Sequence, residues 1–388
     1  MAQSREIFIF GFRGFPKVQG GIEKHVSELA PRLAANGLPI TACFRSPYTS
    51  ADCGSEWKGV RLCRLWTPKS TYFETIVHSI ICAVVACYRR PALVHIHGIG
   101  PALVTPLVRL FGLPVVVTHH GADYDREKWG TMARLILRWG EAAGMKYANR
   151  RIVISRSIQS QVRAKYRKEC EVIPNGVFLP ELPAGKDRVE TLGLEPGRYV
   201  LLVGRLVPEK RHLDAVRAFA LSRPPGWKLV VVGQADHASG YADDLAREAA
   251  LNPNVVMAGL RTGEDLHQLY AHAGLFVLPS SHEGLPIVLL EALSYGVQVL
   301  ASDIPANREV VDDAARLFRM GDVAELSARF SALADASPDV GNHDPLRRDW
   351  VHRFNWDNIA NQTAMVYSQV LRPSAGVPRK SRHAARGF

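Results

Sequence analysis

Short, continuously apolar runs alternate with stretches of helical periodicity along almost the whole chain, and few architectures accept that rhythm. In the first half the runs are Ile7–Phe10, Ile40–Phe44, Val94–Ile96, Val115–Thr118 and Ile152–Ser155. In the second they are Tyr199–Val203, Leu229–Val232, Val255–Met257, Leu275–Leu278 and Val297–Ala301, separated by helical stretches such as Arg211–Leu221 and Tyr241–Ala250. A strand that is apolar on both faces must be covered on both, and parallel sheets flanked by crossover helices provide that cover. The pattern predicts an α/β protein made of two Rossmann-like, doubly wound domains. Ligands of such sheets gather outside the carboxyl ends of the strands, and two domains facing each other imply a cleft.

Length agrees with two cores. The chain has 388 residues, and single hydrophobic cores stop growing well below that size. Asn175-Gly176 marks a turn, and the proline-rich stretch Leu179–Gly185 breaks regular structure. The expected division is residues 1–180 for the first domain and 190–354 for the second. A helical run, Phe354–Leu371, comes after it, and residues 373–388 form a basic tail without apolar periodicity, expected to be disordered.

Composition excludes several classes. The longest nearly apolar run, Thr75 to Tyr88, falls short of the roughly 20 residues that span a bilayer, so no transmembrane helix is expected. The chain enters the strand Ile7–Phe10 almost at once, which leaves no room for a signal peptide and suggests a cytoplasmic protein. Six cysteines without a Cys-x-x-Cys pair read as reduced, mostly buried thiols. Net charge is +11, and Gly121 to Cys170 holds twelve Lys/Arg against five acids. That segment is either a solvated helical face or an attraction to anionic lipid, which is worth about 1 kcal/mol per basic residue. No aromatic platform or nucleic-acid motif accompanies it, and no nucleic-acid partner is expected.

The chemistry concentrates in a few loops. After the strand Leu275–Leu278 comes a turn, Pro279 to Gly284, then a helix with Pro286 in its first turn, running to about Tyr295 with Gly296 as its stop. A helix N-terminus offers unpaired N–H groups and a partial positive charge, so Gly284, Leu285, Pro286 and Ile287 form a seat for a phosphate or diphosphate. Glu283 and Glu291 flank that seat; five helical steps from Pro286 put Glu291 roughly 7.5 Å along the axis. A retaining glycoside hydrolase holds its carboxylates about 5–5.5 Å apart, and nothing in this spacing asks for that. Arg205 and Lys210 follow the strand Tyr199–Val203 and emerge at its carboxyl end, where ligands bind. Gly20-Gly21 precedes a helix, Ile22 to Asn36, and lets backbone approach a ligand; the Gly-x-Gly-x-x-Gly of a nicotinamide fold is missing. Pro31 inside that helix suggests a kink. Thr118-His119-His120-Gly121 ends a strand, and with His95 and His97 it also has the composition of a metal-ligand set.

Glu283, seven intervening residues and Glu291 resemble the Glu-x7-Glu signature of retaining glycosyltransferase family 4, which has the GT-B fold. Three further stretches fit in the same order: Gly11 to Val26 resembles its glycine-paired loop, Val115 to Gly121 its histidine loop, and Val203 to Lys210 its basic diphosphate clamp. The resemblance implies a nucleotide-sugar donor site in the second domain and an acceptor site in the first. It implies that Arg205 and Lys210 hold the donor diphosphate and that His120, rather than His119, faces the donor sugar. Glu283 would steady the sugar's cationic transition state, while Glu291 would accept from the ribose hydroxyls. Gly20 and Gly21 would line the donor site, and Gly259 and Leu260 would meet the base through backbone atoms.

It further implies that the C-terminal helix, residues 355–372, crosses back onto the first domain, and that neither metal nor other cofactor is needed. Tyr124, Arg126 and Lys128, beside Trp129, are candidate acceptor or lipid-phosphate contacts. The expected activity is transfer of a hexose from a UDP- or GDP-sugar to a glycan acceptor, lipid-linked in envelope or exopolysaccharide synthesis, at the inner face of the membrane. A nucleotide-sugar epimerase or a non-catalytic nucleotide-sugar-binding protein on the same architecture would share the donor site.

Overall fold

A computed structural model describes residues 5–371 apart from 17, 50–53, 69–72, 123, 125–129, 184, 236–239 and 336–351. Arg126, Lys128, Trp129 and the basic tail therefore lie outside the described residues. The chain builds two sheets. The first, in the order β3-β4-β2-β1-β5-β6-β7-β8, contains β1 (Ile7–Phe10), β2 (Ile40–Arg45), β3 (Glu56–Trp57), β4 (Val60–Leu65), β5 (Leu93–His97), β6 (Val115–His119), β7 (Arg150–Val153) and β8 (Glu171–Val172). The second, in the order β11-β10-β9-β12-β13-β14, contains β9 (Tyr199–Val203), β10 (Lys228–Val232), β11 (Val255–Gly259), β12 (Leu275–Leu278), β13 (Val299–Ser302) and β14 (Leu317–Phe318). Every pairing is parallel except that of β3 with β4.

Helices α1 (Gly21–Ala35), α2 (Glu74–Arg89), α3 (Thr105–Leu110), α4 (Thr131–Tyr147) and α5 (Arg156–Tyr166) accompany the first sheet. Then come α6 (Asp187–Thr191), α7 (His212–Ser222), α8 (Gly240–Ala250), α9 (Glu264–Ala271), α10 (Ile287–Ser294), α11 (Pro305–Arg308), α12 (Val323–Ser331) and α13 (Trp356–Leu371). Strand alternation decides which layer each residue enters. Ile7 and Ile9 pack with Val26, Leu29 and Tyr367 on the side of α1 and α13, whereas Phe8 and Phe10 pack with Cys82, Val117 and Met145 on the side of α2, α3 and α4. In the second sheet Val200 and Leu202 meet Val216, Phe219 and Phe330. Of the cysteines described, Cys43, Cys82 and Cys170 are buried and Cys63 and Cys87 half-buried, all as free thiols.

Several expectations shift. β4, between the short edge strand β3 and β2, is only partly buried and alternates polar with apolar residues rather than forming a continuous apolar run, so it carries no run signal. β7 and β13 sit about two residues away from the apolar runs that announce them. α1 runs unbroken through Pro31. Pro286 is not the first helical residue but the extended residue before it, with φ −75° and ψ 110°.

The strand order reverses at β1 between β2 and β5, and at β9 between β10 and β12. These are the switch points where open sheets leave a crevice at their carboxyl ends. The loops after β1, β6, β9 and β12, which carry most of the candidate residues, leave carboxyl ends at or beside these crevices. α13 closes the chain back onto the first domain: the Val177 N–H donates to Phe354 O at 2.7 Å, and the Trp356 ring lies so close to Gly176 that a Cβ there would meet it at 2.5 Å.

Candidate active site

The second-domain wall is assembled by the loop after β9. A short turn of 3-10 helix, Pro208–Lys210, brings Lys210 Nζ to 2.5 Å from Glu283 Oε1. Main-chain Glu209 O accepts from the Ser281 N–H at 2.9 Å and from its hydroxyl at 3.3 Å, so the clamp loop and the glutamate loop are fastened together. Arg205 lies on the same loop, five positions before Lys210.

α10 begins beyond Glu283-Gly284 without a side-chain cap, so no side chain at its N-cap takes its first N–H groups. Leu285 and Ile287 are buried among core side chains, so their part in the seat is limited to backbone. Glu291, one turn into α10, is half-buried and accepts from the Tyr270 hydroxyl at 3.2 Å. Burial raises its carboxyl above the usual range, with Lys24 on α1 opposing. At the end of β11, Gly259 adopts φ +68° and its carbonyl is taken by the Gly233 N–H at 2.9 Å; the Leu260 side chain is exposed.

The facing wall is the start of α1. Gly20 has φ +147°, and a Cβ there would lie 2.0 Å from Glu23 Oε2, because Glu23 turns back to accept from the Arg13 N–H at 3.0 Å and from its guanidinium Nε at 3.2 Å. Glycine is required at that point. α1 also starts without a side-chain cap, so two uncapped helix N-termini, of α1 and α10, serve one cleft.

The histidine loop separates its two members. His119 is locked inside: its Nδ1 accepts from the Gly121 N–H at 3.1 Å, which leaves Nε2 to donate to Glu141 Oε1 at 3.1 Å. Burial alone would raise Glu141, but hydrogen bonds from His119, Lys165 and Tyr166 outweigh it and hold the carboxyl at about 2. His120 instead lies at the domain boundary. A Cβ on Gly284 would fall 2.1 Å from its carbonyl oxygen, and its Nε2 sits 3.0 Å from His97 Nδ1. Burial holds both rings well below the usual histidine pKa, so both are neutral. Tyr124 turns from the cleft toward Glu141, donating to Oε1 at 3.3 Å, with Lys165 and Arg138 over its ring.

The metal-like pattern of the sequence resolves differently from its spacing. His95 is committed on both nitrogens, to the Tyr367 hydroxyl and Thr118 Oγ1, each at 2.7 Å. Among the described residues, the three imidazoles that converge are His25, His97 and His120, with candidate ligand atoms within 4.8 Å of one another. His25 carried no local signal, for it is one polar residue on an amphipathic helix.

Sequence reasoning also missed the residues that join the walls. Asn175, read as half of a turn, lies 3.0 Å through Oδ1 from His25 Nδ1 and donates through Nδ2 to Leu285 O at 2.7 Å. Glu309 reaches from the second domain to cap α5, accepting from the Arg156 and Ser157 N–H groups at 2.8 and 2.6 Å.

Residues 20–176 match the model of the glycosyl transferase 4-like domain, and residues 186–350 that of glycosyl transferases group 1. The chain belongs to glycosyltransferase family 4. Curated relatives of this transferase include a GDP-mannose:cellobiosyl-diphosphopolyprenol alpha-mannosyltransferase of Xanthomonas oryzae pv. oryzae, 26% identical across 95% of the chain and 97% of the relative. A glycogen synthase of Mycobacterium tuberculosis is 27% identical across 92% and 93%. Among solved structures, sucrose-phosphate synthase from Thermosynechococcus elongatus superposes with a TM-score of 0.78 at 22% identity, covering 94% of this chain and 98% of that one. The architecture is GT-B.

Proposed function

We propose that this glycosyltransferase moves a hexose, with retention, from a UDP- or GDP-sugar to a lipid-linked glycan acceptor in envelope or exopolysaccharide synthesis, without a metal ion. The observation that carries the reading is the Lys210–Glu283 pair, set beside the uncapped start of α10, with half-buried Glu291 one turn farther in. A donor diphosphate would draw Lys210 away from Glu283, joining Arg205 and the N–H groups of α1 and α10 in holding charge that grows as the glycosidic bond breaks. Glu283, released, would lie beside the sugar carbon as positive charge develops there. Glu291, raised by burial, suits a neutral partner such as ribose hydroxyls better than a cation.

Retention without a protein nucleophile would have the acceptor oxygen attack on the face the nucleotide leaves, passing its proton to the departing phosphate. The lipid-linked acceptor draws support from the Xanthomonas relative, whose acceptor is a diphosphopolyprenol, and from the basic surface of the first domain. Among the described residues no helix is long and apolar enough to cross a membrane, so such an acceptor would be met at the membrane surface.

The test is a thermal-shift and calorimetric titration with UDP, GDP, ADP and NAD in the presence of chelator. A ligand that binds only the native state raises its melting point. UDP or GDP alone should stabilise the protein, and Arg205→Ala should remove the effect. Stabilisation by NAD instead, or only after a divalent metal is added, would overturn the reading. Turnover of the donor sugar with no acceptor and no transfer would favour an epimerase.

A further inference from the structure

The outer layer of the first domain has a surface that the donor chemistry does not use. α2, α3 and α4 lie side by side on one face of the first sheet, opposite the layer formed by α1 and α13. Each turns apolar side chains outward. On α2, Val84 and Tyr88 stand four residues apart, one helical turn, and are 58% and 90% exposed. Leu110 at the end of α3 is 82% exposed with Phe111 beside it, and on α4 Met132 and Trp139 are 69% and 57% exposed, two turns apart. Single exposed apolar residues are ordinary, but a set repeated at helical spacing on three adjoining helices marks an interaction surface.

Charge identifies what it meets. The three helices carry only two acids, Glu74 and Glu141, and both are buried, tied respectively to Arg45 and to His119, Lys165 and Tyr166. The layer's basic residues are Arg89, Arg90, Arg109, Arg134, Arg138 and Lys146. Among the described residues, the one of these with an acidic partner within 4 Å is Arg89, 3.7 Å from Glu6. A second copy of the chain would set cations against cations. An anionic bilayer supplies both missing terms, phosphate charge for the arginines and a shallow apolar layer for Leu110, Met132 and Trp139.

We propose that the outer face of α2, α3 and α4 is the membrane-docking surface of this enzyme, binding bilayers that contain anionic phospholipid by shallow insertion of apolar side chains between basic ones. This deepens the reading of a lipid-linked acceptor, and rests on it for its purpose. The surface itself is independent of the donor site. The cation count and the stripe of exposed apolar residues give each half of the interaction its own variant.

The experiment is co-sedimentation of the full chain with vesicles of phosphatidylcholine alone and of phosphatidylcholine mixed equally with phosphatidylglycerol, alongside UDP and GDP thermal shifts on every variant. The parent should bind the mixed vesicles and not the neutral ones, and added salt should weaken the binding. At about fivefold in affinity per basic residue near the surface, Arg134→Glu, which removes one cation and adds one anion, should cost roughly 25-fold. The double variant Leu110→Ser/Trp139→Ser should lose binding while its melting point and nucleotide shift stay those of the parent.

Three outcomes would overturn the proposal: no binding to mixed vesicles, binding that both variants retain, or concentration-dependent dimerisation that Leu110→Ser/Trp139→Ser abolishes. Vesicle binding with no nucleotide shift would keep the docking surface and remove the proposed transferase reaction. A nucleotide shift without vesicle binding would do the reverse.

Discussion

Gly284→Ala tests whether the two walls of the cleft must touch for transfer to occur. A Cβ at Gly284 would sit 2.1 Å from the carbonyl oxygen of His120 and 3.0 Å from Ile154 Cδ1. The first neighbour is backbone and cannot rotate away. Because Cβ contacts essentially never fall below 3.0 Å, the two loops must part by about 1 Å, and they belong to different sheets. Each sheet keeps its own core, so the variant should fold, at a cost of about 1–3 kcal/mol for overpacking.

In the proposed reaction that 1 Å falls beside Glu283, the adjacent residue, where a donor sugar would lie facing His120. Misplacement of reacting groups by this distance costs about 100-fold in rate. Steady-state turnover with the donor that stabilises the parent should therefore show kcat reduced about 100-fold, a larger effect than any on the thermal shift by the free nucleotide, which would also meet the Gly284 backbone. Gly240→Ala is the control, since a Cβ there meets nothing within 4 Å. A Gly284→Ala enzyme with kcat within twofold of the parent would refute the claim that this contact fixes the reacting geometry.

Glu291→Ala should chiefly raise the KM for donor, and Glu283→Ala chiefly lower kcat; steady-state kinetics giving the opposite split would exchange their roles. Asn175→Ala removes the amide between His25 and Leu285 O. It should lower the melting point by the few degrees that about 1–3 kcal/mol implies, and raise donor KM; unchanged values for both would make the bridge incidental. Stability should fall on acidification, because burial lowers His25 to about 4 and His95 to about 3, below the 6.5 of an exposed ring. The unfolded chain takes up those protons first, so the stabilisation is complete above about pH 6.5 and is lost as pH falls toward the folded values. Between about pH 6.5 and 5 each ring should cost about 2 kcal/mol. Glu291, raised by burial, works in the opposite direction, and a melting point that is flat from pH 7 to 5 would refute the neutral histidine cluster.

The legible part of this protein was what repeats or stays local. Continuous apolar strands announced parallel sheets because such strands need cover on both faces, and the position of Arg205, Lys210, Glu283 and Glu291 after β9 and β12 follows from strand order alone. The partners of those residues were another matter. The carbonyl of Glu209 fixes Ser281, 72 residues on; Asn175 reaches Leu285, 110 residues on; and Glu309 caps a helix that starts 153 residues earlier. None of the three has a local pattern, because each takes its meaning from a fold already formed.

His119 and His120 show the same limit at closest range. Adjacent residues of identical chemistry on one strand end must point to opposite sides, and the strand's alternation decides that only one of them can face the boundary. The sequence supplies the alternation, but not which side is inward. Glu141 settles it by accepting from His119 Nε2 within the first domain, which leaves His120 against Gly284. The residue that assigns the roles of the histidine pair is thus a glutamate on α4 outside the cleft. Glu141→Gln should disturb His119 and the fold of this loop before it disturbs donor binding, with loss of melting temperature preceding any change in nucleotide affinity. A variant of normal stability that no longer bound nucleotide would place Glu141 at the donor site and reverse this order of dependence.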